Sequence, residues 1–268
     1  MKVEVLASVM NASLPETVQH MNLQSDAVII NQCDRLGQEE MQISQGNGEA
    51  RTIRFYRFPE RGIGRSRNEA ILRAEGDICL FSDADIVYED GYEAAILREF
   101  EDNPEADMII FNIAVEEERR TYHITDRHRV RWYNCGRYGA VSFAVRRDSL
   151  LASGSTFSLL FGGGAKYSNG EDSLFLAEFL RKGYKVYTAP VTIGREEAGD
   201  STWFHGYNEK FFHDRGVLYH YLYGRLAGPL ALRFLYAHRG TLCTDVSLKQ
   251  AKQWMRDGIR EAGKRGLA

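Results

Sequence analysis

The most constraining feature of this chain is an apolar run that leads directly into two carboxylates one residue apart. Residues 78–81 are four consecutive hydrophobic residues, a pattern typical of a strand buried on both faces in a parallel sheet. Asp83 and Asp85 follow at the predicted carboxyl end of that strand, where open α/β sheets bind ligands. Side chains two apart on a strand point the same way, so we expect the pair to hold one divalent ion against a diphosphate. The alternative is an acidic turn that merely follows a strand.

Strand and helix patterns alternate through the first hundred residues, which predicts a βαβ-type sheet. The predicted strands cover residues 3–9, 26–31, 53–58, 78–83, 107–115 and 139–145. The predicted helices cover residues 15–23, 66–76, 91–101 and 173–182. A capping box at residues 66–69 opens the second helix, Asp90 is the expected N-cap of the third, and residues 37–50 are interpreted as a polar surface excursion. Beyond about residue 200 the pattern becomes helical and aromatic.

Composition narrows the class of protein and of partner. The chain has 268 residues, 44% of them hydrophobic, and a formal net charge of -3, which argues against a nucleic-acid partner. Its four cysteines lie far apart in sequence and form no Cys-x-x-Cys pair, so we expect free thiols in a reducing compartment. The first residues enter a strand without a signal-peptide pattern, and no run reaches the roughly 18 apolar residues of a membrane span. The expected location is the cytoplasm.

A second motif places two adjacent carboxylates after a glycine-rich loop. Residues 162–164 are three glycines, and Glu171 and Asp172 stand at the start of the helix predicted over residues 173–182. The helix dipole stabilises negative charge at that end. Acidic N-capping alone would account for one carboxylate, but it leaves the glycines unexplained.

A third motif, residues 61–68, combines glycines with arginines ahead of a predicted helix. Two glycines allow a close backbone approach, and Arg61, Arg65 and Arg67 with a helix amino end would make an anion cradle. The alternative is a set of surface arginines beside a glycine turn.

Taken together and in this order, the three motifs resemble those of family 2 glycosyltransferases, which have the GT-A fold. The resemblance covers about residues 3–190. It implies an α/β fold, a Rossmann-like nucleotide-binding mixed sheet flanked by helices, with a helical C-terminal extension. The expected division is a catalytic domain over residues 1–200, whose donor and metal half is 1–115 and whose acceptor half is 116–200, followed by a helical region over 201–268.

The same resemblance implies a set of donor-binding residues. The family's first strand ends in Tyr-Asn, and this chain keeps the Asn as Asn11. Where the family has acidic residues that recognise the nucleotide base, this chain offers Gln32 and Asp34, and either could make that contact. The family's Ala-Arg-Asn signature corresponds to a Ser-Arg-Asn sequence here, which implies that Arg67 and Asn68 bind the donor nucleotide.

The resemblance also implies a metal site and a catalytic base. Asp83 and Asp85 match the family's Asp-x-Asp metal motif, with Asp85 as the direct ligand. His205 falls where many GT-A enzymes supply a third metal or diphosphate contact, or it is a half-exposed loop histidine. Asp172 is the expected base, with Glu171 as second choice. A base needs a raised pKa, whereas a helix amino end lowers it, so partial burial would have to offset the dipole.

The predicted activity is therefore metal-dependent, inverting transfer of a sugar from a nucleotide-diphosphate sugar, UDP-linked, with Mn²⁺ or Mg²⁺. The expected acceptor is a glycan or lipid-linked molecule in capsule, lipopolysaccharide or cell-wall synthesis. A sugar-phosphate nucleotidyltransferase is one alternative, although residues 9–14 lack the glycine-rich basic loop that it would need. A nucleotide-sugar binding or scaffold protein without turnover is the other.

Two further segments bear on the acceptor and on partners. Arginines and aromatic residues intermix over residues 116–138 and could form an acceptor wall or a solvated connection. The stretch 217–237 is apolar and aromatic, and the last residues are basic. These features fit peripheral contact with the inner membrane face, a homodimer contact, or helices packed on the catalytic domain.

Overall fold

The architecture is a mixed sheet flanked by helices, seen in a computed structural model that describes residues 1–44, 49–116, 122–197 and 206–264. Within these ranges the sheet has nine strands in the order β3-β4-β2-β1-β5-β8-β7-β9-β6. The strands are β1 (Val3–Met10), β2 (Asp26–Gln32), β3 (Gly37–Ser44), β4 (Ala50–Phe58), β5 (Ile78–Asp83), β6 (Ile86–Tyr88), β7 (Met108–Ala114), β8 (Phe143–Arg146) and β9 (Val186–Glu196). The helices are α1 (Leu14–His20), α2 (Ile63–Arg73), α3 (Tyr92–Asp102), α4 (Arg147–Ser153), α5 (Glu171–Arg181), α6 (Glu209–Tyr223), α7 (Ala227–Ala237), α8 (Arg239–Leu242) and α9 (Leu248–Lys264).

The order of the strands creates a point at which the chain reverses its direction across the sheet. From β1 the chain moves outward through β2 to β4, all parallel, and then returns to add β5 in parallel on the other side of β1. In doubly wound sheets such a switch opens a crevice at the carboxyl ends of the strands, where ligands bind. β8 runs antiparallel between β5 and β7, which makes the sheet mixed. The expected fold class is thereby confirmed.

The apolar run that leads to Asp83 is buried as its sequence predicts. Ile78 and Leu80 contribute to the hydrophobic cluster on one face of the sheet, whereas Cys79 and Phe81 contribute to the cluster on the other. Helices α1 and α3 supply side chains to the first cluster, and α2, α5 and α6 supply side chains to the second. A strand covered on both faces needs apolar residues at every position.

Two local expectations from the sequence are wrong. Residues 37–50, expected to be a polar excursion, contain β3, an edge strand antiparallel to β4 whose side chains are mostly exposed. Exposure explains why the sequence is largely polar and why only Met41 and Ile43, which pack against the core, show an apolar alternation. The capping box is also wrong, since α2 begins at Ile63 with Gly62 in the N-cap position, and Ser66 is buried inside the helix.

The third helix begins differently from the expectation as well. Gly91, with a φ of 77°, occupies the N-cap position of α3, and no side chain caps this end. Asp90 instead accepts hydrogen bonds from the side-chain amides of Asn22 and Gln24, at 3.0 Å and 2.9 Å. The carboxylate therefore ties the start of α3 to the segment before β2.

The C-terminal part is helical, as expected, and packs closely on itself. Helices α6 and α9 cross where both lack side chains: a Cβ on Gly216 would lie 2.1 Å from the Met255 carbonyl oxygen, and one on Gly258 would lie 2.0 Å from that of His213. Through the described part of the chain, no helix has both the length and the apolar character that a bilayer crossing requires. All four cysteines are free thiols.

Candidate active site

A buried arginine joins the three sequence motifs at the carboxyl edge of the sheet. Arg67 of α2 has a side chain only 3% exposed. Its Nη2 donates to both carboxylate oxygens of Asp83, each at 3.1 Å, and its Nη1 donates to Glu171 Oε1 at 3.0 Å. Asp172 Oδ1 lies 3.7 Å from the same Nη1. Residues that are about a hundred positions apart in the chain thus share one electrostatic network.

Packing and hydrogen bonds fix the position of this guanidinium. It lies over the ring of Phe157, with Cζ 5.1 Å from the ring centroid, and that ring stacks on Phe175 with centroids 4.2 Å apart. Asn68 holds the backbone of Phe157 on both sides: its Nδ2 donates to the carbonyl at 2.9 Å and its Oδ1 accepts from the N–H at 2.8 Å. The amide of Asn68, expected at the donor nucleotide, is therefore engaged in holding the ring under Arg67.

The glycines of the second motif make room for the carboxylates. Gly162 has a φ of 101°, and a Cβ there would lie 2.8 Å from the Glu171 carboxyl carbon. Gly170 has a φ of 120°, and a Cβ there would lie 2.7 Å from the Leu218 side chain on α6. A larger residue at either position would displace the start of α5. Acidic capping alone did not account for these glycines, whereas close packing does.

The two carboxylates at the start of α5 have different surroundings. The Glu171 side chain is 10% exposed, and burial together with the neighbouring Asp172 charge raises its pKa to about 8, although Arg67 opposes the shift. Burial thus outweighs the helix amino end at this position. Asp172 is more open, at 26% exposure, and its Oδ2 accepts a hydrogen bond from the Ala140 N–H at 3.2 Å.

The charge of Arg67 is strongly stabilised by its neighbours. Burial on its own lowers the pKa of an arginine, but the negative charges of Asp83, Asp172 and Glu171 more than compensate, and the pKa of Arg67 is raised. The guanidinium is therefore a permanent cation at the centre of the site. Its Nε is buried and has no hydrogen-bond partner among the residues that the structure describes.

The predicted donor-binding residues meet at the ends of β1 and β2. Asn11 follows β1 with a φ of 50°, in the left-handed region that a non-glycine residue rarely adopts, and is exposed. Gln32 ends β2 and is buried, and its Oε1 accepts from the Gly62 N–H at 2.7 Å. Asp34 is 95% exposed and pairs with Arg61 at 3.0 Å. Asn11 and Asp34 are both exposed, so their side chains are accessible at the switch point of the sheet.

Protein groups occupy part of the anion cradle that is expected at the start of α2. The Gly62 N–H donates to the Gln32 side chain, and the Ile63 N–H donates to the Gly163 carbonyl at 3.1 Å. Arg61 Nη1 donates to the Gln32 carbonyl oxygen at 2.6 Å. Protein groups therefore already accept from the N–H groups of Gly62 and Ile63, two donors that an anion at this helix end would otherwise bind.

The Asp-x-Asp pair lies at the strand end, but not on one strand. Asp83 is the last residue of β5, whereas Asp85 is exposed in the turn between β5 and β6, so the expectation of two parallel strand side chains is wrong. Over the described ranges no group of three or more His, Cys, Asp or Glu residues could hold a metal ion. Two carboxylates nevertheless fit Mg²⁺ or Mn²⁺, which take oxygen ligands and retain positions for phosphate oxygens and water. His205, the expected third contact, lies outside the described residues.

A cavity of about 410 Å³ opens beside the carboxylates. Its lining includes Tyr122, Arg137, Tyr138, Glu171, Asp172, Arg215 and Leu218. The cavity takes two aromatic residues from the expected acceptor segment 116–138. Other members of that segment lie elsewhere: Arg127 pairs with Glu99, while Trp132 lines a separate cavity of about 480 Å³.

Sequence reasoning missed the contribution of α6 to this cavity. Arg215 and Leu218, three residues apart on α6, reach the same cavity as the α5 carboxylates. The sequence analysis identifies residues 217–237 as an apolar and aromatic stretch and assigns no role to Arg215. The one available signal was an arginine placed within the aromatic sequence of residues 211–223.

Comparison with known proteins agrees with this geometry. A family model described as glycosyl transferase family 2 matches residues 11–158, more than half of the chain. No curated protein gave a significant match.

Solved structures of glycosyltransferases share the fold at low sequence identity. One is S. aureus TarS 1-349 in complex with UDP-GlcNAc, at 16% identity and a TM-score of 0.65, covering 99% of this chain and 82% of that one. The same protein in complex with UDP has 15% identity and a TM-score of 0.62, with the same coverage. The mannosyltransferase PcManGT from Pyrobaculum calidifontis, in complex with GDP-Man and Mn²⁺, has 13% identity and a TM-score of 0.51, covering 100% of this chain and 76% of that one.

Proposed function

This chain belongs to glycosyl transferase family 2, and on that premise we propose that it is a metal-dependent, inverting enzyme that transfers a sugar from a UDP-linked donor. The network around Arg67 carries the proposal. It links Asp83 of the strand-end motif to the carboxylates of α5 across 3.0–3.1 Å hydrogen bonds. A transferase has to hold the residues that bind the donor at a fixed distance from those that bind the acceptor. One buried cation that binds both Asp83 and the carboxylates of α5 supports that arrangement.

The donor would bind at the switch point of the sheet. Asn11, Asp34 and the exposed Asp85 surround the ends of β1, β2 and β5, and we assign base and sugar contacts to the first two. Because both Asp83 oxygens accept from Arg67, Asp85 is the better direct ligand for a divalent ion. A bound ion would supply positive charge to the leaving diphosphate. The neighbouring structures with UDP-GlcNAc, with UDP, and with GDP-Man and Mn²⁺ support this class of donor and metal.

Asp172 is the proposed base, and Glu171 is proposed to hold Arg67. A base must reach the acceptor hydroxyl, and Asp172 lines the cavity with the larger exposed fraction. Burial and the neighbouring Asp172 charge raise the pKa of Glu171 to about 8, which favours the protonated form of this carboxyl. A protonated carboxyl cannot remove a proton, so the more exposed neighbour is the better candidate.

The acceptor is proposed to be a glycan or lipid-linked molecule in bacterial surface polysaccharide synthesis, reached from the cytoplasmic membrane face. Exposed apolar side chains support peripheral attachment, among them Trp132, Leu226 and Tyr236. Co-sedimentation with anionic and with neutral vesicles would test membrane attachment. A protein that stays in the supernatant with both kinds of vesicle would contradict it. The homodimer stays a prediction, for which sedimentation velocity is the measurement.

Release of UDP from a panel of UDP-sugars and GDP-sugars, with Mn²⁺ or Mg²⁺, tests the activity. We expect slow hydrolysis of one UDP-sugar that a chelator abolishes and that Asp85→Asn reduces by roughly 10²-fold or more. Asp102→Asn is the matched control, because it removes an exposed carboxylate on α3.

Two outcomes would favour the alternative functions. Donor binding without metal-dependent turnover on any sugar would favour the non-catalytic binding protein. Formation of a nucleotide sugar from UTP and a sugar phosphate, with pyrophosphate released, would favour the nucleotidyltransferase.

A further inference from the structure

The cavity beside Asp172 contains an arginine that forms no ion pair with any of the described residues. Arg215 of α6 lines the cavity and is partly buried. Its Nε is buried without a hydrogen-bond partner, and no ion pair joins it to a carboxylate within the ranges that the structure covers. Burial lowers the pKa of this guanidinium, and only tyrosines oppose the shift. A cation in such surroundings is costly unless something else binds it.

The surrounding residues hold this arginine in one place. Its Cζ lies 5.4 Å from the Phe211 ring centroid and 5.1 Å from that of Phe234. The preceding residue, Asp214, accepts from the Ser168 N–H at 2.9 Å and from its hydroxyl at 2.8 Å, which ties α6 to the loop before α5. The side chain is therefore presented to the cavity at a fixed position relative to the α5 carboxylates.

Other buried arginines of this protein show the contrast. Arg54 and Arg67 are each paired with carboxylates, and Arg57 is paired with Glu39. A structural role for Arg215 would rest on its two aromatic contacts, which leave its buried Nε without an acceptor among the described residues. A guanidinium that lines a cavity and has no carboxylate partner in the described part of the chain is suited to bind an anionic ligand.

A second cation lines the same cavity. Arg137 is exposed there and has no ion pair with a described carboxylate. The cavity thus combines two arginines with the carboxylates Glu171, Asp172 and Glu196. A neutral sugar would need neither arginine, and an anion would be repelled from the carboxylates unless the arginines bound it.

We propose that the acceptor is an anionic glycan, whose phosphate or carboxylate group is bound by Arg215 and Arg137 while its hydroxyl meets Asp172. Phosphate and carboxylate each present two oxygens that a guanidinium can bind through two N–H groups. This inference rests on the proposed glycosyl transfer and names the substrate class of the same site.

The test is binding to an array of oligosaccharides in matched neutral, carboxylated and phosphorylated forms. We expect wild type to prefer the anionic members, and Arg215→Gln and Arg137→Gln each to weaken that preference by about tenfold or more. Arg215→Lys keeps the charge between the two rings and should retain part of the binding. Arg98→Gln, which removes an exposed arginine of α3 on the other face of the sheet, should behave as wild type. Thermal unfolding of each variant shows whether the fold is kept.

Several outcomes would overturn the proposal. They are binding without preference for anions, no binding of any anionic glycan, and an anion preference that the arginine substitutions leave unchanged in folded variants. Preference for only the phosphorylated or only the carboxylated members would support the proposal and identify the anion.

UDP-sugar hydrolysis without acceptor separates this inference from the proposed function. We expect Arg215→Gln to leave the donor KM within about twofold of wild type, since the arginine serves the acceptor. A large rise in donor KM would mean that Arg215 binds the donor diphosphate, and the acceptor proposal would fail. If wild type binds anionic glycans but hydrolyses no UDP-sugar, only the proposed function would fail.

Discussion

Two buried arginine networks lie at opposite ends of the same sheet, and they differ in how completely they are satisfied. At the amino end, Arg54 Nη2 donates to Glu4 Oε1 at 2.6 Å and its Nη1 pairs with Glu75. The other Glu4 oxygen accepts from the N–H groups of Glu75 and Gly76, at 2.6 Å and 2.9 Å. Each charged group of this network has partners that suit it.

At the carboxyl end the balance is different. Arg67 faces the carboxylates of Asp83, Glu171 and Asp172 at once, its Nε has no partner in the described structure, and the pKa of Glu171 is raised. Unbalanced charge and a shifted pKa are typical of functional sites, whereas a satisfied network only has to hold the fold. We therefore propose that the first network stabilises the fold and that the second serves the chemistry.

Removing the central cation of the second network should have the largest effect. Arg67→Met leaves Asp83, Glu171 and Asp172 without compensation, so we expect donor turnover to fall by roughly 10³-fold. The free energy of unfolding should fall by about 3–5 kcal/mol, because breaking a buried pair leaves uncompensated charge. Urea unfolding and UDP release measure the two effects.

Arg67→Lys is the conservative partner of that variant. A single ammonium cannot reproduce the two N–H groups that contact Asp83 and Glu171, so it should restore much of the stability but little of the turnover. Full turnover in Arg67→Lys would contradict the view that the Arg67 guanidinium has to contact both Asp83 and Glu171.

The next largest effect should come from the proposed base. Asp172→Asn is nearly isosteric and keeps an oxygen that can accept from the Ala140 N–H, so the fold should be retained. We expect acceptor transfer to fall by about 10²–10⁴-fold, the usual contribution of a general base. Donor hydrolysis and nucleotide binding should change much less. Glu171→Gln should reduce transfer less than Asp172→Asn does, and the reverse order would exchange the two assigned roles.

A substitution at the amino-end network should affect stability alone. Glu4→Gln removes the charge that faces Arg54, while Glu75 remains as a partner, so we expect a loss of about 1–3 kcal/mol in the free energy of unfolding. The rate of UDP release by the folded protein should stay that of wild type. A fall in that rate, measured where the variant is fully folded, would show that the two ends of the sheet are not separate in role.

Much of the fold was predictable because its signals are local. The run over residues 78–81 identified the central strand, and the Glu171–Asp172 pair marked the start of α5, since each pattern depends on neighbours in sequence. The capping box failed for the opposite reason: Gln32, thirty positions away, supplies the acceptor at the start of α2. Exposure hid β3, because this edge strand is mostly polar and its apolar alternation is limited to Met41 and Ile43.

The sequence predicted which residues belong to the site better than it predicted the contacts between them. Motif order indicated Arg67, Asp83 and Asp172, but nothing in the sequence states that one guanidinium joins them. The sequence did not indicate a role for Arg215. Its role is inferred from its place in the cavity and from the lack of an ion pair with any described carboxylate, and only three-dimensional contacts show these.

The last prediction concerns the pH dependence of stability. The pKa of Glu171 is about 8 in the folded protein, because of burial and of the Asp172 charge, and about 4.3 in an unfolded chain. Between these values the folded state binds one proton more than the unfolded state. The stability contributed by this group is therefore complete below about pH 4.3 and is lost as the pH rises toward 8, by at most about 1.4 kcal/mol per pH unit.

Glu171→Gln should remove this part of the slope, and urea unfolding at pH 5, 6, 7 and 8 compares it with wild type. Glu178→Gln, on the exposed side of the same helix, should keep the wild-type slope. Equal slopes in wild type and Glu171→Gln would mean that Glu171 is charged when folded. The second network would then be as well balanced as the first, and the contrast between the two ends of the sheet would lose its electrostatic basis.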